Sequence, residues 1–228
     1  MVNTIIQQSM LRKAKTEGVI DFDVVDLRDF GQGNYRQIDD TPYGGGGGMV
    51  LMAEPLFAAL DHTVANIGVA TNLRIIYPSP QGLQWSQDAA QENSSLENLI
   101  FICGHYKDID HRVIDKYVTH EYSIGDYVVT SGEIPTMIMI DSIVRLLPGV
   151  LNNFDSAKTD SFFSESLLDA PYYTKPKKID GLSVPEVLMS GNHKKIAAWR
   201  QDERVRRTEV KRPDLAHTRA KKLESSEN

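Results

Sequence analysis

Four loops of this sequence carry the residue types of a ligand site. The first holds an unbroken glycine run, residues 44–48. Five consecutive glycines lose much conformational entropy on ordering, so they suit a backbone that passes very close to another group. The second and third loops, residues 77–82 and 103–106, directly follow short apolar segments, and the fourth, residues 122–133, opens a long apolar helix. Ligands of open α/β sheets bind at the carboxyl ends of strands. Together the loops predict one composite pocket, although each alone also fits a turn or a flexible connection.

Familiar catalytic and cofactor motifs are missing. The chain has no G-x-G-x-x-G or Walker A sequence, no G-x-S-x-G elbow, and no His/Cys cluster with zinc-ligand spacing. The six histidines are scattered. Dinucleotide binding through that fingerprint, P-loop chemistry and an α/β-hydrolase mechanism are therefore not supported.

Helices alternate with strands over the first 150 residues or so, which predicts an α/β domain with a largely parallel sheet. Residues 152–176 are polar and lack periodicity, which predicts a linker. The remainder predicts a mostly helical segment with Ile196, Trp199 and Val205 as core contacts. The predicted helices cover residues 4–16, 55–67, 87–93, 108–117 and 135–147, and the predicted strands and strand-like segments cover 19–27, 73–77, 99–103 and 121–127.

Composition indicates an ordinary globular protein. Of the 228 residues, 41% are hydrophobic and 25% charged, which fits one large domain or a domain with a small appendage. No apolar run approaches the roughly 20 residues that span a bilayer, and the first residues lack a signal-peptide pattern. One cysteine, Cys103, excludes an internal disulfide and fits a reducing compartment. We therefore expect a cytoplasmic protein that does not bind membranes.

Charge is distributed unevenly. The net charge is −6, yet residues 175–228 hold 14 Lys and Arg against 8 Asp and Glu. A basic terminal part on an acidic body is typical of polyanion binding, but also of a solvated helix face. The candidate phosphate contacts are Lys194, Lys195, Arg200, Arg204, Arg206, Arg207, Lys211 and Arg212.

Seven motifs in a fixed order give the sequence a family resemblance. They are P-Y-G-G-G-x-G-M, Y-x-S-P-Q-G, C-G-x-Y, S-I-G-D-Y-V, D-S-F, L-L-D-x-P-x-Y-T-x-P and V-L-x-S-G-x-H. Over residues 5–215 the chain resembles the bacterial tRNA (guanine-N1)-methyltransferases, the TrmD family of the SPOUT superfamily.

The resemblance implies a fold and a methyl donor. The fold would be a SPOUT-type α/β domain with a deep trefoil knot, over residues 1–151, a linker over 152–176, and a small helical tRNA-binding domain over 177–228. The donor would be S-adenosylmethionine. The resemblance assigns its contacts to Tyr77, Pro78, Ser79, Gly82, Gly104, Ser123, Ile124, Gly125, Asp126, Tyr127, Val128, Val129 and Gly132.

It also implies a reaction and partners. The substrate would be tRNA, methylated at N1 of guanosine 37, beside the anticodon, by a homodimer with its sites at the subunit interface. Asp160, in the linker, matches the family's general base, and Arg145 matches an arginine that stabilises negative charge on the guanine. Without the resemblance, Asp160 would be one more linker acid and Arg145 a helix arginine that extends to solvent. A Mg²⁺ requirement is compatible with the family, but the sequence shows no metal site.

Several positions depart from the family pattern. The family's first strand, which ends in F-P-E-x-F, is expected to be absent, because the sequence begins at the following helix. The common family segment C-G-R-Y-E-G reads Cys103-Gly104-His105-Tyr106-Lys107-Asp108, and Ser131 replaces a glycine. Two alternatives therefore stay open: an enzyme of the same fold that methylates a ribose 2′-hydroxyl, and a non-catalytic RNA-binding homologue.

Overall fold

A computed structural model describes residues 1–68, 72–152, 154–163 and 166–216. It divides into two units, Met1–Asn152 and Asn153–Asn228. The helices are α1 (Val2–Ile5), α2 (Ser9–Thr16), α3 (Ala53–Ile67), α4 (Gln87–Asn93), α5 (His111–Tyr117), α6 (Glu133–Val144), α7 (Phe154–Lys158), α8 (Glu186–Met189) and α9 (His193–Lys211), with a 3₁₀ turn at Leu27–Phe30. The strands are β1 (Asp39–Asp40), β2 (Val50–Leu51), β3 (Leu73–Gln84), β4 (Asn98–Phe101), β5 (Asp108–Ile109), β6 (His120–Ser123), β7 (Lys178–Ile179) and β8 (Leu182–Ser183).

A parallel sheet lies at the centre of the first unit. Strand β3 runs between β4 and β6 and is parallel to both. Alternate side chains of a strand point to opposite faces, so Ile75 and Tyr77 join a core with residues of α3 and α5. Ile76 instead packs with Tyr122 and with Met139 of α6. The sheet is thus covered on both faces, as parallel sheets require, and the predicted α/β class is confirmed.

A second, smaller sheet supports the region around the glycine run. Strand β2 pairs antiparallel with β1 and parallel with β5. The residues Leu51 and Ile109, paired in register, are both buried in the core below α3. This pairing corrects the prediction of a helix from residue 108. The helix α5 begins at His111, because the Asp110 carboxylate caps it by accepting a hydrogen bond from the Arg112 amide at 3.0 Å.

Most other predicted elements of this unit are confirmed, with shifted ends. Helices α3 and α6 each begin two residues before the proline that was taken as their start, since proline fits any position of a first turn. The predicted helix over 4–16 is instead two helices, α1 and α2, which are separated by residues 6–8; Ser9, the first residue of α2, has a positive φ of 47°.

The predicted strand over residues 19–27 is wrong. Residues 20–26 have no regular secondary structure. Alternation of apolar and acidic residues favours a strand only where a neighbouring strand completes the hydrogen bonds. Ile20 and Phe22 here pack against the cluster formed by α2 and α6, whereas Val24 stays 42% exposed.

The second unit is less helical than predicted. The helices α8 and α9 follow a hairpin, β7 and β8, whose two-residue turn is Asp180-Gly181 with φ of 49° and 80°. Positive φ at both turn positions is the geometry that matches the twist of a hairpin. The segment predicted as a linker contains α7 and the buried residues Leu167 and Ala170. The expected core contacts Ile196, Trp199 and Val205 are half-buried.

Replacing a core residue of the central strand tests this arrangement. Ile76→Ala removes a fully buried side chain, 0% exposed, and is expected to lower the free energy of unfolding by about 2–5 kcal/mol in urea denaturation. The control Leu83→Ala changes a side chain of the same strand that is 76% exposed, so we expect a loss below about 1 kcal/mol. Equal losses from the two variants would contradict the assigned core.

Candidate functional site

A pocket lies where the loops after the three parallel strands meet. It is an open cleft with a cavity volume of about 120 Å³. Three of the four loops expected to form a composite pocket contribute to it. The lining residues are Tyr77, Pro78, Ser79, Pro80, Gly104, His105, Tyr106, Lys107, Asp108, Tyr122, Ser123, Ile124, Gly125, Tyr127, Val128, Val129, Thr130, Ser131, Gly132 and Pro135.

The first wall is a break in the register of β3. Pro78 and Leu83 both lie opposite Tyr122, so the residues between them leave the ladder. Proline has no amide hydrogen to give to a ladder, and Pro78 and Pro80 flank Ser79, whose hydroxyl accepts a hydrogen bond from the Gln81 amide at 3.2 Å. At Gly82 the chain of β3 comes back against β6. A Cβ added there would lie 2.4 Å from the backbone of Glu121.

The second wall joins two loops through their backbones. The Gly132 amide donates a hydrogen bond to the Gly104 carbonyl at 2.7 Å, and His105 pairs with Ser131 beside it. A Cβ on Gly132 would lie 2.5 Å from the Gly104 nitrogen, and a Cβ on Gly104 would lie 2.8 Å from the Tyr77 hydroxyl oxygen. Both positions therefore require glycine.

Tyr77 and Asp108 form a hydrogen-bonded pair within the lining. The Tyr77 hydroxyl donates to Asp108 Oδ1 at 2.6 Å, and the same oxygen accepts the Ile109 amide at 2.7 Å. Burial raises the pKa of Tyr77 far above its ordinary value, and the hydrogen bond to Asp108 adds to the shift. Tyr77 therefore stays a neutral hydrogen-bond donor with a fixed ring.

A side-chain contact between His105 and Glu133 also connects the same two loops. His105 Nε2 lies 2.6 Å from Glu133 Oε1 at the start of α6. Partial burial alone would raise the pKa of Glu133, but hydrogen bonds from His105 and Ser131 outweigh it and lower that pKa. Glu133 is consequently ionised at neutral pH and holds the loop of Gly104 against α6.

The loop before α6 gives the pocket an apolar rim. Ser123 Oγ accepts the Gly125 amide at 3.2 Å and turns the chain, and Gly125 has a φ of 141°. Beyond this turn Tyr127 and Val128 are 57% and 86% exposed. Exposed apolar side chains at the mouth of a pocket suit a flat, aromatic part of a ligand.

The structure brings most of the expected donor contacts together. Gly82 and Asp126 do not line the pocket, and Gly82 instead allows close packing against β6. Lys107, Asp108 and Pro135 line it but lay outside the loops that sequence reasoning selected. The expected contacts that line the pocket are Tyr77, Pro78, Ser79, Gly104, Ser123, Ile124, Gly125, Tyr127, Val128, Val129 and Gly132.

The two expected catalytic residues lie outside this lining. Arg145 is half-buried at the carboxyl end of α6, and Asp160 is half-buried just after α7, in the second unit. The Asp160 amide donates to the Ala157 carbonyl at 3.1 Å, so its backbone is held by the turn that ends α7.

The glycine run does not pass close to another group. Added Cβ atoms at residues 44–47 would meet nothing within 4 Å, whereas φ is positive at Gly44, Gly45, Gly46 and Gly48. Its glycines thus serve backbone conformation, and the run does not line the pocket.

Within the described ranges no group of three His, Cys, Asp or Glu side chains is placed to hold a metal ion. Of the helices in that same part of the chain, none has both the length and the apolar composition to cross a membrane.

The fold and the pocket define an α/β protein with a small-molecule site at the carboxyl edge of a parallel sheet. The chain belongs to the TrmD family of tRNA (guanine-1)-methyltransferases, whose family model matches residues 1–218.

Relatives named tRNA (guanine-N(1)-)-methyltransferase match nearly the whole chain. One from Staphylococcus carnosus is 47% identical over 94% of this chain and 86% of its own. One from Lacticaseibacillus paracasei is 50% identical over 93% of this chain and 82% of its own. One from Clostridioides difficile is 45% identical over 93% of this chain and 91% of its own.

The glycine contact between the loops yields a stability prediction. In Gly132→Ala the new methyl group meets backbone atoms that cannot rotate away, so we expect a loss of roughly 1–3 kcal/mol in urea denaturation. Binding of S-adenosylmethionine, measured by calorimetry, should weaken in parallel.

Gly47→Ala is the matched control, because its Cβ meets nothing and its φ is not positive. We expect it to leave both stability and donor affinity close to those of the unchanged protein. A Gly132→Ala protein that behaves like the control would show that the two loops do not touch as described.

Proposed function

We propose that this protein transfers the methyl group of S-adenosylmethionine to N1 of guanosine 37 in tRNA. The observation that carries the proposal is the pocket built by closely packed glycine loops at the carboxyl edge of the sheet, in a chain of this family. When bound, S-adenosylmethionine supplies an electrophilic methyl group on a sulfonium.

The residues present fit the donor. The apolar rim of Ile124, Tyr127 and Val128 suits the adenine ring. Gly104 and Gly132 have no side chain and expose backbone at that wall, which suits a ligand held in part by backbone hydrogen bonds. Ser79, Ser123 and the Tyr77 hydroxyl add polar groups, as specific small-molecule sites require.

Asp160 is the proton acceptor in this proposal. N1 of guanine carries a hydrogen and its lone pair is engaged in the ring, so the nitrogen becomes a nucleophile only as the proton leaves. A carboxylate within hydrogen-bond reach accepts that proton during the transfer, an effect worth about 10²–10⁴ in rate. Binding of tRNA brings the base to the Asp160 segment and orders it.

Arg145 stabilises the negative charge that develops on guanine. As N1 loses its proton, charge spreads to O6, and a guanidinium donates hydrogen bonds to that oxygen. The remaining task of the protein is alignment, because an in-line transfer between held groups needs little further chemistry.

The wider architecture follows the family. We propose a trefoil-knotted SPOUT domain, a homodimer with sites at the subunit interface, and residues 177–228 as the tRNA-binding domain, acting in the cytoplasm. In α9 Lys194, Lys195 and Arg200 are exposed and available for phosphates, whereas Arg206 and Arg212 already pair with Glu203 and Asp214. We propose no step that needs Mg²⁺.

Removing the carboxylate tests the general base. Asp160→Ala and Asp160→Asn are expected to lower the rate of methyl transfer at least about 10²-fold, with little change in donor affinity by calorimetry. The control Asp180→Asn alters an exposed acid in the turn of the hairpin and should keep the rate. Full turnover by the Asp160 variants would refute the assigned role.

Nucleoside analysis separates the proposal from ribose methylation. After incubation with labelled donor and tRNA, digestion should yield labelled 1-methylguanosine. A labelled 2′-O-methylnucleoside would favour the ribose enzyme, and donor binding without any labelled nucleoside would favour a non-catalytic RNA-binding protein.

Phosphate contacts by α9 predict a salt effect. Lys194→Ala should weaken tRNA binding and reduce the slope of log K against log salt by about 1, because one phosphate contact releases about one counterion. Lys15→Ala is the control, since Lys15 pairs with Asp21 in the first unit. An unaltered slope for Lys194→Ala would remove that residue from the interface.

A further inference from the structure

Asp108 is the only carboxylate among the described residues that line the pocket. Its Oδ1 atom is occupied by the Tyr77 hydroxyl and the Ile109 amide. Neither contact uses Oδ2, and both fix the carboxylate in place at the pocket wall.

The other ionisable side chains near Asp108 in the lining are those of Lys107 and His105. Lys107 is exposed, and its amide is bonded to the Met49 carbonyl at 3.0 Å. His105 is engaged by Glu133 at 2.6 Å. No described cation is in hydrogen-bond or salt-bridge contact with Asp108, so its negative charge acts on whatever occupies the cavity.

The methyl donor and its product differ mainly in charge. S-adenosylmethionine carries a sulfonium, and S-adenosylhomocysteine carries a neutral thioether in its place. In a cavity of this size a bound ligand places its sulfur within several ångströms of the lining. At that separation and an effective dielectric constant of about 20, a carboxylate attracts a unit positive charge appreciably.

We propose that Asp108 is a specificity-determining residue that favours the charged donor over the neutral product. The carboxylate stabilises the sulfonium form in the pocket, and this attraction disappears once the methyl group has left. Product release is thereby favoured by the same residue that helps to bind the donor. The inference rests on the proposed function, since it requires that the pocket binds S-adenosylmethionine.

Calorimetric titration of both ligands into the full-length protein tests the inference. Asp108→Asn keeps the shape and a hydrogen-bond acceptor but removes the charge. We expect its Kd for S-adenosylmethionine to rise roughly tenfold, and its Kd for S-adenosylhomocysteine to change by less than about twofold. An equal change for both ligands would overturn the inference and leave the proposed function intact.

Two controls separate charge from structure. Tyr77→Phe removes the hydrogen bond between Tyr77 and Asp108 but keeps the carboxylate, so it should change both affinities by the same factor. Asp115→Asn removes an exposed carboxylate of α5 outside the pocket and should leave the ratio of the two Kd values unchanged. If Asp115→Asn moves the ratio as far as Asp108→Asn, the effect is one of net charge and the inference fails.

A second neutral variant covers the case in which Asp108→Asn does not fold. Asp108→Ser keeps a hydrogen-bond acceptor and removes the charge, so it should lower the preference for the donor by a similar factor. An unchanged ratio of the two Kd values overturns the inference. Absence of binding of either ligand to the unchanged protein would overturn the proposed function itself, and the inference with it.

Discussion

The backbone contact between Gly132 and Gly104 is the constraint on which the pocket depends. Its hydrogen bond of 2.7 Å joins the loop after β4 to the start of α6, and no side chain fits at either residue. A Cβ on Gly104 would also lie 2.8 Å from the hydroxyl oxygen of Tyr77, which precedes the register break of β3. The loops of Gly104 and Gly132 and the Tyr77 segment of β3, which are distant in sequence, are thereby held together around the pocket.

Elements whose signals are local could be predicted from the sequence. Helices α3 and α6 follow from apolar residues and proline placement, α4 was expected as a polar helix, and strands β3 and β4 follow from short apolar runs. Residues 19–27 show the limit, because their alternation lacks the partner strand that would complete the ladder. The hairpin of β7 and β8 was missed although Asp180-Gly181, between two apolar residues, is a strong two-residue turn signal.

The site was predictable to a similar extent. The loops could be predicted because ligands of α/β sheets bind at the carboxyl ends of strands. The family resemblance identified most of the residues that line the pocket. The position of Asp108 in the lining could not be found that way. It depends on a hydrogen bond to Tyr77, 31 residues away in sequence, and on the short strand β5, which the helical pattern of the following residues obscured. Asp126 was expected to touch the donor because it sits inside a motif, yet its neighbours line the pocket and it does not.

The proposed chemistry gives a reason for a closely packed donor pocket in the first unit and a general base, Asp160, in the second. A carboxylate is a far weaker base than the guanine anion, so proton transfer to Asp160 becomes favourable only as the new bond removes negative charge from N1. The two events must therefore coincide, and each depends on alignment. In the proposed mechanism, the glycine backbones and Tyr77 hold the donor and keep its electrophilic carbon fixed. What remains is to bring the guanine and the carboxylate of Asp160 to that carbon. In the proposed mechanism, methyl transfer therefore requires a tRNA whose guanine contacts both the donor and Asp160.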